Sequence, residues 1–414
     1  MSGPPSSPCS GPLSDFFLDS PEKLDDPFAD LAWLREHHPV YKHEASGQWF
    51  VFPYDEVSSL FADRRLSADR IAAFAESAPP EVREDVASVV PFLETWLIFR
   101  DGPEHGRLRR ALHEGFNATA IAALRAPVER VANALLDQAI HDGRLDVAAD
   151  YGFLLPVYVL AEFMGVPAAD HDRVVQWSVD FVDFFNVIPI TSDTAQRMVR
   201  SSDEMARYMR GLLSARATHE RNDFLGLMAR AARTGEIGEQ EAIGSTMLLL
   251  IAGHLPVRNL IGNVVWLLGR RPDDFARVLA SRDMIDGVIE ETLRYEPPIG
   301  AIPRTTIEDI TVCGRRIPAG EVIQLSILAA NRDPGHFPDP DRFEITRKPH
   351  GVLSFGHGPH GCLGARLARE QAQIALEVLF RRTGRPLWPD DERETRWYRN
   401  AANRGPENLP VRFG

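Results

Sequence analysis

The stretch with the most chemical character in this sequence is FGHGPHGCLG, residues 355–364. It places Cys362 among four glycines and two histidines, directly before a segment with helical periodicity. A helix start concentrates unpaired N–H groups and the positive end of the helix dipole, and both stabilise a thiolate over a thiol. The glycines let the backbone approach a flat partner closely, because no Cβ is present to collide with it.

Two functions compete for a cysteine in this setting. A nucleophilic cysteine with His360 as its base is one of them, but a histidine separated from Cys362 by one residue rarely presents its ring to the thiolate. The other is a thiolate that ligates a metal, which suits the helix start and the glycine-rich loop better. The residues therefore favour a metal-ligating thiolate at Cys362.

The composition limits the class of protein. The 414 residues include 46 basic and 59 acidic side chains, and the net charge of −13 argues against a nucleic-acid or anionic-membrane binder. No apolar run approaches the roughly 20 residues of a membrane helix, and the first residues lack the features of a secretory signal. Three widely spaced cysteines fit a reducing compartment without disulfides or structural zinc. We therefore expect a cytoplasmic protein.

The elements around Cys362 are predicted to be mostly helical. The Pro-, Ser- and Gly-rich start predicts a flexible tail over residues 1–24, and residues 25–414 contain no linker and read as a single domain. Helical periodicity covers 104–116, 119–141, 150–164, 168–186, 194–218, 239–270, 273–280, 283–295 and 362–382. Short β patterns cover 48–53, 309–328 and 408–413. The predicted fold class is mainly α, a large helical body with a small β-sheet region.

The loop at Cys362 resembles the haem loop of the cytochrome P-450 superfamily, the haem-thiolate monooxygenases. The family pattern is Phe-x-x-Gly-x-Arg/His-x-Cys-x-Gly, and Phe355, Gly358, His360, Cys362 and Gly364 match it. Further landmarks of the family follow in the same order over residues 25–413. The resemblance therefore covers nearly the whole chain and implies a single cytochrome P-450 fold, with haem b bound through the cysteine. The soluble bacterial type, common in natural-product biosynthesis, is the most similar.

A second landmark is the ETLR segment, where Glu291 and Arg294 lie three residues apart. This spacing alone describes an ordinary exposed ion pair on a helix. In its context it resembles the Glu-x-x-Arg motif of the family, whose third member is an arginine that Arg342 of the FPDPDRF segment matches. The resemblance implies a buried structural network of three charges that holds the haem-loop scaffold and tolerates the loss of a partner poorly.

A third landmark is DGPEHGRLRR, residues 101–110, in which His105 and Arg109 share one helical face. Such a pair suits an anionic group, although a basic surface face has the same spacing. The resemblance implies that both residues contact a haem propionate, and that Arg304 and His360 do the same from other segments. The charge of the haem would thereby be matched inside an apolar pocket.

The central helix, residues 247–262, departs from the family pattern Ala-Gly-x-Asp/Glu-Thr, whose acid and alcohol relay protons to oxygen. Ala252 and Gly253 are present, but Leu255 replaces the acid and Pro256 the alcohol, and neither can transfer a proton. Pro256 should also kink the helix, because it lacks an N–H and collides with the Ala252 carbonyl. We expect atypical proton delivery, through water held on that carbonyl or through a polar group of the substrate.

The resemblance implies hydroxylation, epoxidation or oxidative rearrangement or coupling of a substrate, with O2 and electrons from a ferredoxin and its ferredoxin reductase. The alternatives are a peroxide-driven or radical-coupling enzyme, or a non-catalytic partner protein of the same fold. Peroxide-consuming relatives with proline at the alcohol position carry an arginine where this chain has Leu255. A basic patch of Arg366, Arg369, Arg107 and Arg110 is predicted to dock the ferredoxin.

The substrate pocket is expected to be apolar with a few polar anchors, although an aromatic stripe also fits an ordinary core and His254 also fits a packing role. A medium or large, mostly apolar natural product with one polar handle suits such a pocket, for example a polyketide, a terpenoid or a modified peptide. The residues that family topology implies for it are Phe92, Trp96, Leu97, Phe181, Phe184, Phe185, Leu249, His254, Ile299, Ile302, Asn400 and Ala401.

Overall fold

The computed structural model describes residues 20–186, 190–281, 283–389 and 391–412. The α-helices in the first half of this part of the chain are α1 (Pro21–Asp25), α2 (Phe28–His37), α3 (Tyr54–Leu60), α4 (Ile71–Ser77), α5 (Arg83–Leu93), α6 (Gly102–His113), α7 (Ala118–Ala122), α8 (Arg125–Asp142), α9 (Leu154–Met164) and α10 (His171–Asn186). The later ones are α11 (Ser192–Thr218), α12 (Phe224–Arg233), α13 (Glu239–Ala252), α14 (Leu255–Gly269), α15 (Pro272–Ala280), α16 (Asp283–Tyr295), α17 (Ile327–Ala330) and α18 (Ala365–Thr383).

The strands are short, from two to six residues long. They are β1 (Val40–Lys42), β2 (Trp49–Val51), β3 (Leu66–Ser67), β4 (Arg144–Asp146), β5 (Ala301–Thr306), β6 (Ile310–Val312), β7 (Arg315–Ile317), β8 (Val322–Ser326), β9 (Arg396–Trp397), β10 (Pro406–Asn408) and β11 (Pro410–Arg412). Five strands form one sheet in the order β1-β2-β8-β5-β3, in which β2 and β8 are parallel and the other pairs antiparallel. The remaining strands form the two-stranded sheets β10-β9, β11-β4 and β6-β7.

One large hydrophobic core joins the helices, with buried side chains from α8, α9, α13, α14 and α18. Helix α18, which follows the cysteine loop, packs against α8 and α16, while α14 packs against α16 and a π-helical turn at Val147–Phe153. The fold is therefore mainly α with a small sheet region, as the sequence predicts. Helices α1 to α5, α12 and α17 are absent from the sequence-based prediction, and the start of α17 was predicted as part of the β segment 309–328.

The central helix is interrupted where Pro256 was expected to kink it. Helix α13 ends at Ala252, and α14 begins at Leu255 with Pro256 in its first turn. Gly253 still donates its N–H to the Leu249 carbonyl at 3.1 Å, and the Ala252 carbonyl loses its helical donor because the proline nitrogen carries no hydrogen. Two helices separated by a short turn therefore replace the single helix predicted over 239–270.

The start of the folded chain lies earlier than the sequence predicts. Residues 1–19 of the predicted tail are outside the described residues, but residues 20–24 are part of the fold, because Leu24 is buried and its carbonyl accepts a hydrogen bond from Arg404 at 2.6 Å. The predicted helix at 362–382 begins at Ala365 instead, so Cys362 precedes the helix by a short turn.

Two helical stretches are long and apolar enough to cross a membrane by length and composition, which corrects the expectation that no such stretch exists. They are Val147–Met164 and Glu239–Gly269, and 67% and 72% of their most apolar windows are buried inside the fold. Both form part of the hydrophobic core, and this burial explains their composition.

Candidate active site

The loop that carries Cys362 is held in shape by its backbone. It contains two short 3-10 turns, Leu353–Phe355 and Gly358–His360, and the Cys362 N–H donates to the Phe355 carbonyl at 2.8 Å. Gly356 and Gly358 have φ angles of 58° and 71°, a region in which a side chain would be strained. These two glycines therefore serve the turn conformation of the loop.

The thiol of Cys362 is exposed to an internal cavity and lies on its wall. Burial raises the pKa of this thiol, while the Gly364 N–H and the charges of Arg109 and Arg369 lower it. The expectation that the helix start favours the thiolate is therefore incomplete, because burial disfavours the thiolate more strongly than these groups favour it. A metal cation at the sulfur would reverse this balance.

The cavity is enclosed by the loop, by both central helices and by the sheet. Its walls are mainly aliphatic and aromatic, and no aspartate or glutamate among the described residues lines it. The residues predicted for the haem site that line it are His105, Arg109, Ala252, Gly253, Pro256, Arg304, Phe355, His360, Cys362 and Gly364. The fold therefore brings these distant segments to one cavity.

The histidine and arginine side chains near the cysteine loop lie close together. The rings of His105 and His360 have centroids 4.1 Å apart, and Arg109 donates to the Gly361 carbonyl at 2.7 Å. Burial, and after it the charges of His360 and Arg109, lower the pKa of His105 to about 4. Its Nε2 is buried and forms no hydrogen bond within the described residues. Arg304 is also buried, on strand β5 opposite Ile323 of β8.

Asp101 connects the loop to the start of α6. His360 Nε2 lies 3.1 Å from Asp101 Oδ1, and Ser67 donates to Asp101 Oδ2 at 2.6 Å. Burial raises the pKa of Asp101, but hydrogen bonds from His360 and Ser67 outweigh burial and hold it well below its usual range. The carboxylate therefore stays ionised and fixes the position of the His360 ring.

The buried charge network beneath the loop contains Glu291 and Arg294 as predicted, but its third member is Arg347. Both carboxylate oxygens of Glu291 accept from Arg294 at 2.8 Å, and Arg347 Nε donates to Glu291 at 3.1 Å. The prediction of Arg342 is wrong in this respect, because its side chain is 70% exposed and pairs with Glu344 at 3.0 Å. Arg342 contributes only its backbone carbonyl, which accepts from Arg294 at 3.2 Å.

One face of α13 forms the wall of the cavity opposite the cysteine loop. Leu248, Leu249 and Ala252 lie on it, and Ser245 extends it by one turn. The hydroxyl of Ser245 is buried without a hydrogen-bond partner among the described residues. Leu255 is buried but does not line the cavity.

Only part of the predicted substrate pocket lines the cavity, namely Leu97, Leu249, Ile299 and Ile302. The predicted aromatic residues pack instead with one another behind the wall, with ring centroids 6.2 Å apart for Trp96 and Phe181 and 5.2 Å apart for Phe184 and Phe185. Phe92 joins them at 5.4 Å from Trp96. These five rings therefore pack with one another in the core and do not line the cavity.

The predicted polar and C-terminal members of the pocket also lie outside the cavity wall. His254 is fully buried, its Nδ1 donates to the Leu250 carbonyl at 2.7 Å, and its ring lies edge-on to Phe153 at 5.2 Å. Asn400 donates to Asn186 at 3.2 Å and accepts from the backbone of its own loop, which also contains Ala401. His254 therefore has a packing role and does not face the cavity as a proton relay would.

The predicted basic patch is only partly free to bind a partner. Arg107 pairs with Glu241 at 2.6 Å, and Arg369 donates to Glu290 at 3.1 Å. Arg110 and Arg366 are exposed and form no ion pair with any residue that the structure describes. These pairings reduce the patch to two free arginines.

Four polar residues of the cavity wall were not recognised in the sequence, namely Arg70, Ser245, Ser354 and Gln371. Ser245 has a sequence signal, because it continues the i, i+4, i+7 face of Leu249 and Ala252. Ser354 directly precedes Phe355 of the recognised loop, and Gln371 lies on the predicted helix that follows Cys362, so both also had a signal. Arg70 lies in a segment without a motif, and only tertiary packing places it at the cavity.

The geometry can be compared with known proteins. The family model described as cytochrome P450 matches residues 174–395. Mycinamicin IV hydroxylase/epoxidase of Micromonospora griseorubida is 35% identical over 377 residues, which cover 90% of each chain. The chain belongs to the cytochrome P450 family. It is also 32% identical over 412 residues to the cytochrome P450 monooxygenase PikC of Streptomyces venezuelae, covering 98% of this chain and 95% of the relative.

A solved cytochrome P450 shows the same overall structure. The crystal structure of P450BioI in complex with an acyl carrier protein ligated to hexadec-9Z-enoic acid superimposes with a TM-score of 0.86 at 30% identity. The match covers 96% of this chain and 100% of that one. The fold of this chain is thus the cytochrome P450 fold.

Family membership makes this chain a cytochrome P450 monooxygenase-type oxidoreductase with haem b as its cofactor, and its relatives act in natural-product biosynthesis. The cavity fits a haem. Its wall carries a cysteine thiol, a buried histidine nitrogen without a hydrogen-bond partner among the described residues, the buried Arg304 and the half-buried Arg109, and no described acidic side chain. These are the groups that an iron atom and two propionates require.

Proposed function

We propose that this chain hydroxylates or epoxidises a medium to large, mostly apolar natural-product intermediate, with O2 and electrons from a ferredoxin. The observation that carries the proposal is that the Cys362 thiol and the apolar face of α13 line one cavity. The apolar walls favour an apolar substrate, because its burial there removes hydrocarbon surface from water. The most apolar helices lie in the core, so a cytoplasmic location is part of this proposal.

The residues near the loop would hold the cofactor. Cys362 would ligate the iron, and His105, Arg109, Arg304 and His360 would bind the propionates, because their polar groups face a cavity without acidic side chains. With a thiolate ligand, haem supplies the oxygen-activating chemistry. Arg109 is held by its hydrogen bond to Gly361, so little side-chain freedom is lost on binding.

Proton delivery would depend on backbone and substrate groups. Leu255 has no proton to transfer, and Pro256 removes the helical donor of the Ala252 carbonyl. A water molecule held on that carbonyl, or a polar group of the substrate, would carry protons across the interrupted helix. Ser245 provides a hydroxyl on this face of α13, two turns before Ala252, and no described residue is hydrogen-bonded to it.

The first experiment tests the cofactor and the catalytic class. Purified protein should contain stoichiometric haem, and the reduced protein should give the carbon monoxide difference spectrum of a thiolate-ligated haem. A colourless protein would support the non-catalytic partner instead. Turnover with a ferredoxin and ferredoxin reductase is then compared with turnover by hydrogen peroxide alone, and faster peroxide turnover would replace the electron-driven proposal with the peroxide-driven one.

The substrate class is tested by a binding screen. Candidate polyketides, terpenoids and modified peptides are titrated into the ferric protein, and a spin-state shift reports displacement of water from the iron. Products of the compounds that bind are then identified by mass. A coupled or rearranged product without inserted oxygen would support the radical-coupling alternative over hydroxylation and epoxidation.

The ferredoxin surface is proposed to include Arg110 and Arg366, the two free arginines of the predicted patch. Replacing both with glutamine should slow reduction by ferredoxin several-fold at low salt, because complementary charge accelerates encounter. The same double substitution at Arg200 and Arg315, both exposed and outside the cysteine loop and α6, is a control of equal charge. Reduction rates that do not change with ionic strength would contradict this surface.

A further inference from the structure

One arginine of the cavity wall, Arg70, has no ion-pair partner among the described residues. Arg70, Arg109 and Arg304 all line the cavity, and no aspartate or glutamate of the described residues does. Under the proposed function, the two haem propionates are matched by Arg109 and Arg304 together with the histidines. The guanidinium of Arg70 is left on the cavity wall without an ion pair to any described residue, and the nearby charge of Asp101 acts on Arg304 and His360.

Arg70 is fixed in place without being neutralised. It lies between strand β3 and helix α4, where its Nη1 donates to the Ala68 carbonyl at 3.1 Å and its guanidinium lies 4.6 Å from the ring centre of Phe99. It forms no ion pair in the part of the chain that the structure describes. These two contacts orient the guanidinium and leave most of its donors unused, since an arginine has five N–H groups.

The charge on Arg70 is costly in its present surroundings. Burial, and after it the charge of Arg304, lower its pKa to about 10, with partial opposition from Asp69. The group nevertheless remains protonated at neutral pH. A desolvated cation with free donors gains from an anion that can accept two parallel hydrogen bonds, and a carboxylate has this geometry.

We propose that Arg70 anchors a carboxylate of the substrate, so that the chain prefers apolar compounds that carry one carboxylic acid. This inference rests on the proposed function and specifies the substrate class of the same cavity. The aliphatic walls take the hydrocarbon part of the ligand, and the unpaired guanidinium takes its charged end. A neutral compound of equal size loses the interaction with Arg70.

The test uses the haem-loaded full chain and two probes that differ only in their head group, dodecanoic acid and dodecanol. Affinities are measured by the ferric spin-state shift and by calorimetry. The acid should bind more tightly than the alcohol. Arg70→Gln should weaken acid binding by about ten- to hundredfold, the range for losing a hydrogen bond to a charged group, and should change alcohol binding less than about twofold.

Two further variants distinguish a carboxylate anchor from a general effect of charge and from a role in haem binding. Arg64→Gln removes the same charge from an exposed residue of the same segment, so it should leave both affinities unchanged. Arg70→Lys keeps the charge and should retain part of the preference for the acid. An equal loss of acid and alcohol binding in Arg70→Gln would overturn the proposal, and so would a loss of haem in that variant, which would assign Arg70 to a propionate.

The outcomes distinguish this inference from the proposed function. Wild-type protein without haem, or without the carbon monoxide difference spectrum, would refute the proposed function. Wild-type protein with both, but with no preference for dodecanoic acid over dodecanol, would refute only the anchor at Arg70.

Discussion

The identity of the third member of the buried charge network is open to direct test, by replacing Arg347 or Arg342 with methionine. Arg347 donates from Nε to Glu291 at 3.1 Å and from its Nη atoms to the carbonyls of Pro338 at 2.7 Å and Asp339 at 3.2 Å. Among the described residues, Arg342 forms its ion pair with Glu344. The two substitutions remove the same charge from neighbouring positions of one segment.

The expected free energies of unfolding differ because the two environments differ. The side chain of Glu291 is fully buried and that of Arg347 is 16% exposed, so Arg347→Met removes a donor from a buried carboxylate. Arg294 still provides two hydrogen bonds to Glu291, so the carboxylate is not left entirely unpaired. Arg347→Met should therefore lower the free energy of unfolding by about 2–4 kcal/mol. Arg342→Met breaks one exposed pair and should cost less than about 1 kcal/mol.

The measurement is urea unfolding of both haem-loaded variants, followed by far-ultraviolet circular dichroism. Equal slopes of the transitions would show that only stability has changed. The reasoning would be refuted if Arg342→Met lowered the unfolding midpoint as much as Arg347→Met, or if neither variant differed from the wild type.

Further outcomes follow from other parts of the site. Cys362→Ser should retain the helical circular dichroism spectrum and lose the carbon monoxide difference spectrum of thiolate-ligated haem; an unchanged spectrum would contradict ligation by this sulfur. Introducing Leu255→Glu with Pro256→Thr should not increase native product, and a several-fold rise with good coupling would contradict substrate-assisted proton delivery. Burial lowers the pKa of His254 from 6.5 to about 4, so the unfolded chain binds the extra proton first. This shift contributes up to about 3 kcal/mol to the free energy of unfolding, which is fully present above pH 6.5 and is lost as the pH falls towards 4. Acid unfolding of the wild type should show this loss, and His254→Gln should not.

The sequence determined the features that depend on local order along the chain. The spacing around Cys362 predicts the loop, because its turns need glycines at fixed positions, and Gly356 and Gly358 indeed have positive φ angles. The proline of the central helix predicts its interruption, because a missing N–H and a ring clash act within one turn. Glu291 and Arg294 were likewise recognised, since residues three apart on a helix are neighbours.

Only the tertiary structure decided which side chains from distant segments meet. Arg342 and Arg347 lie in the same short segment, and the path of the backbone directs one to solvent and the other to Glu291. The aromatic residues around Trp96 satisfy a pocket pattern and a core pattern equally well, and their packing with one another placed them in the core. Arg70 carries no motif, and its place on the cavity wall follows from the packing of the β3–α4 segment against the body. Side-chain direction and burial depend on contacts between elements far apart in sequence, and local spacing does not encode those contacts.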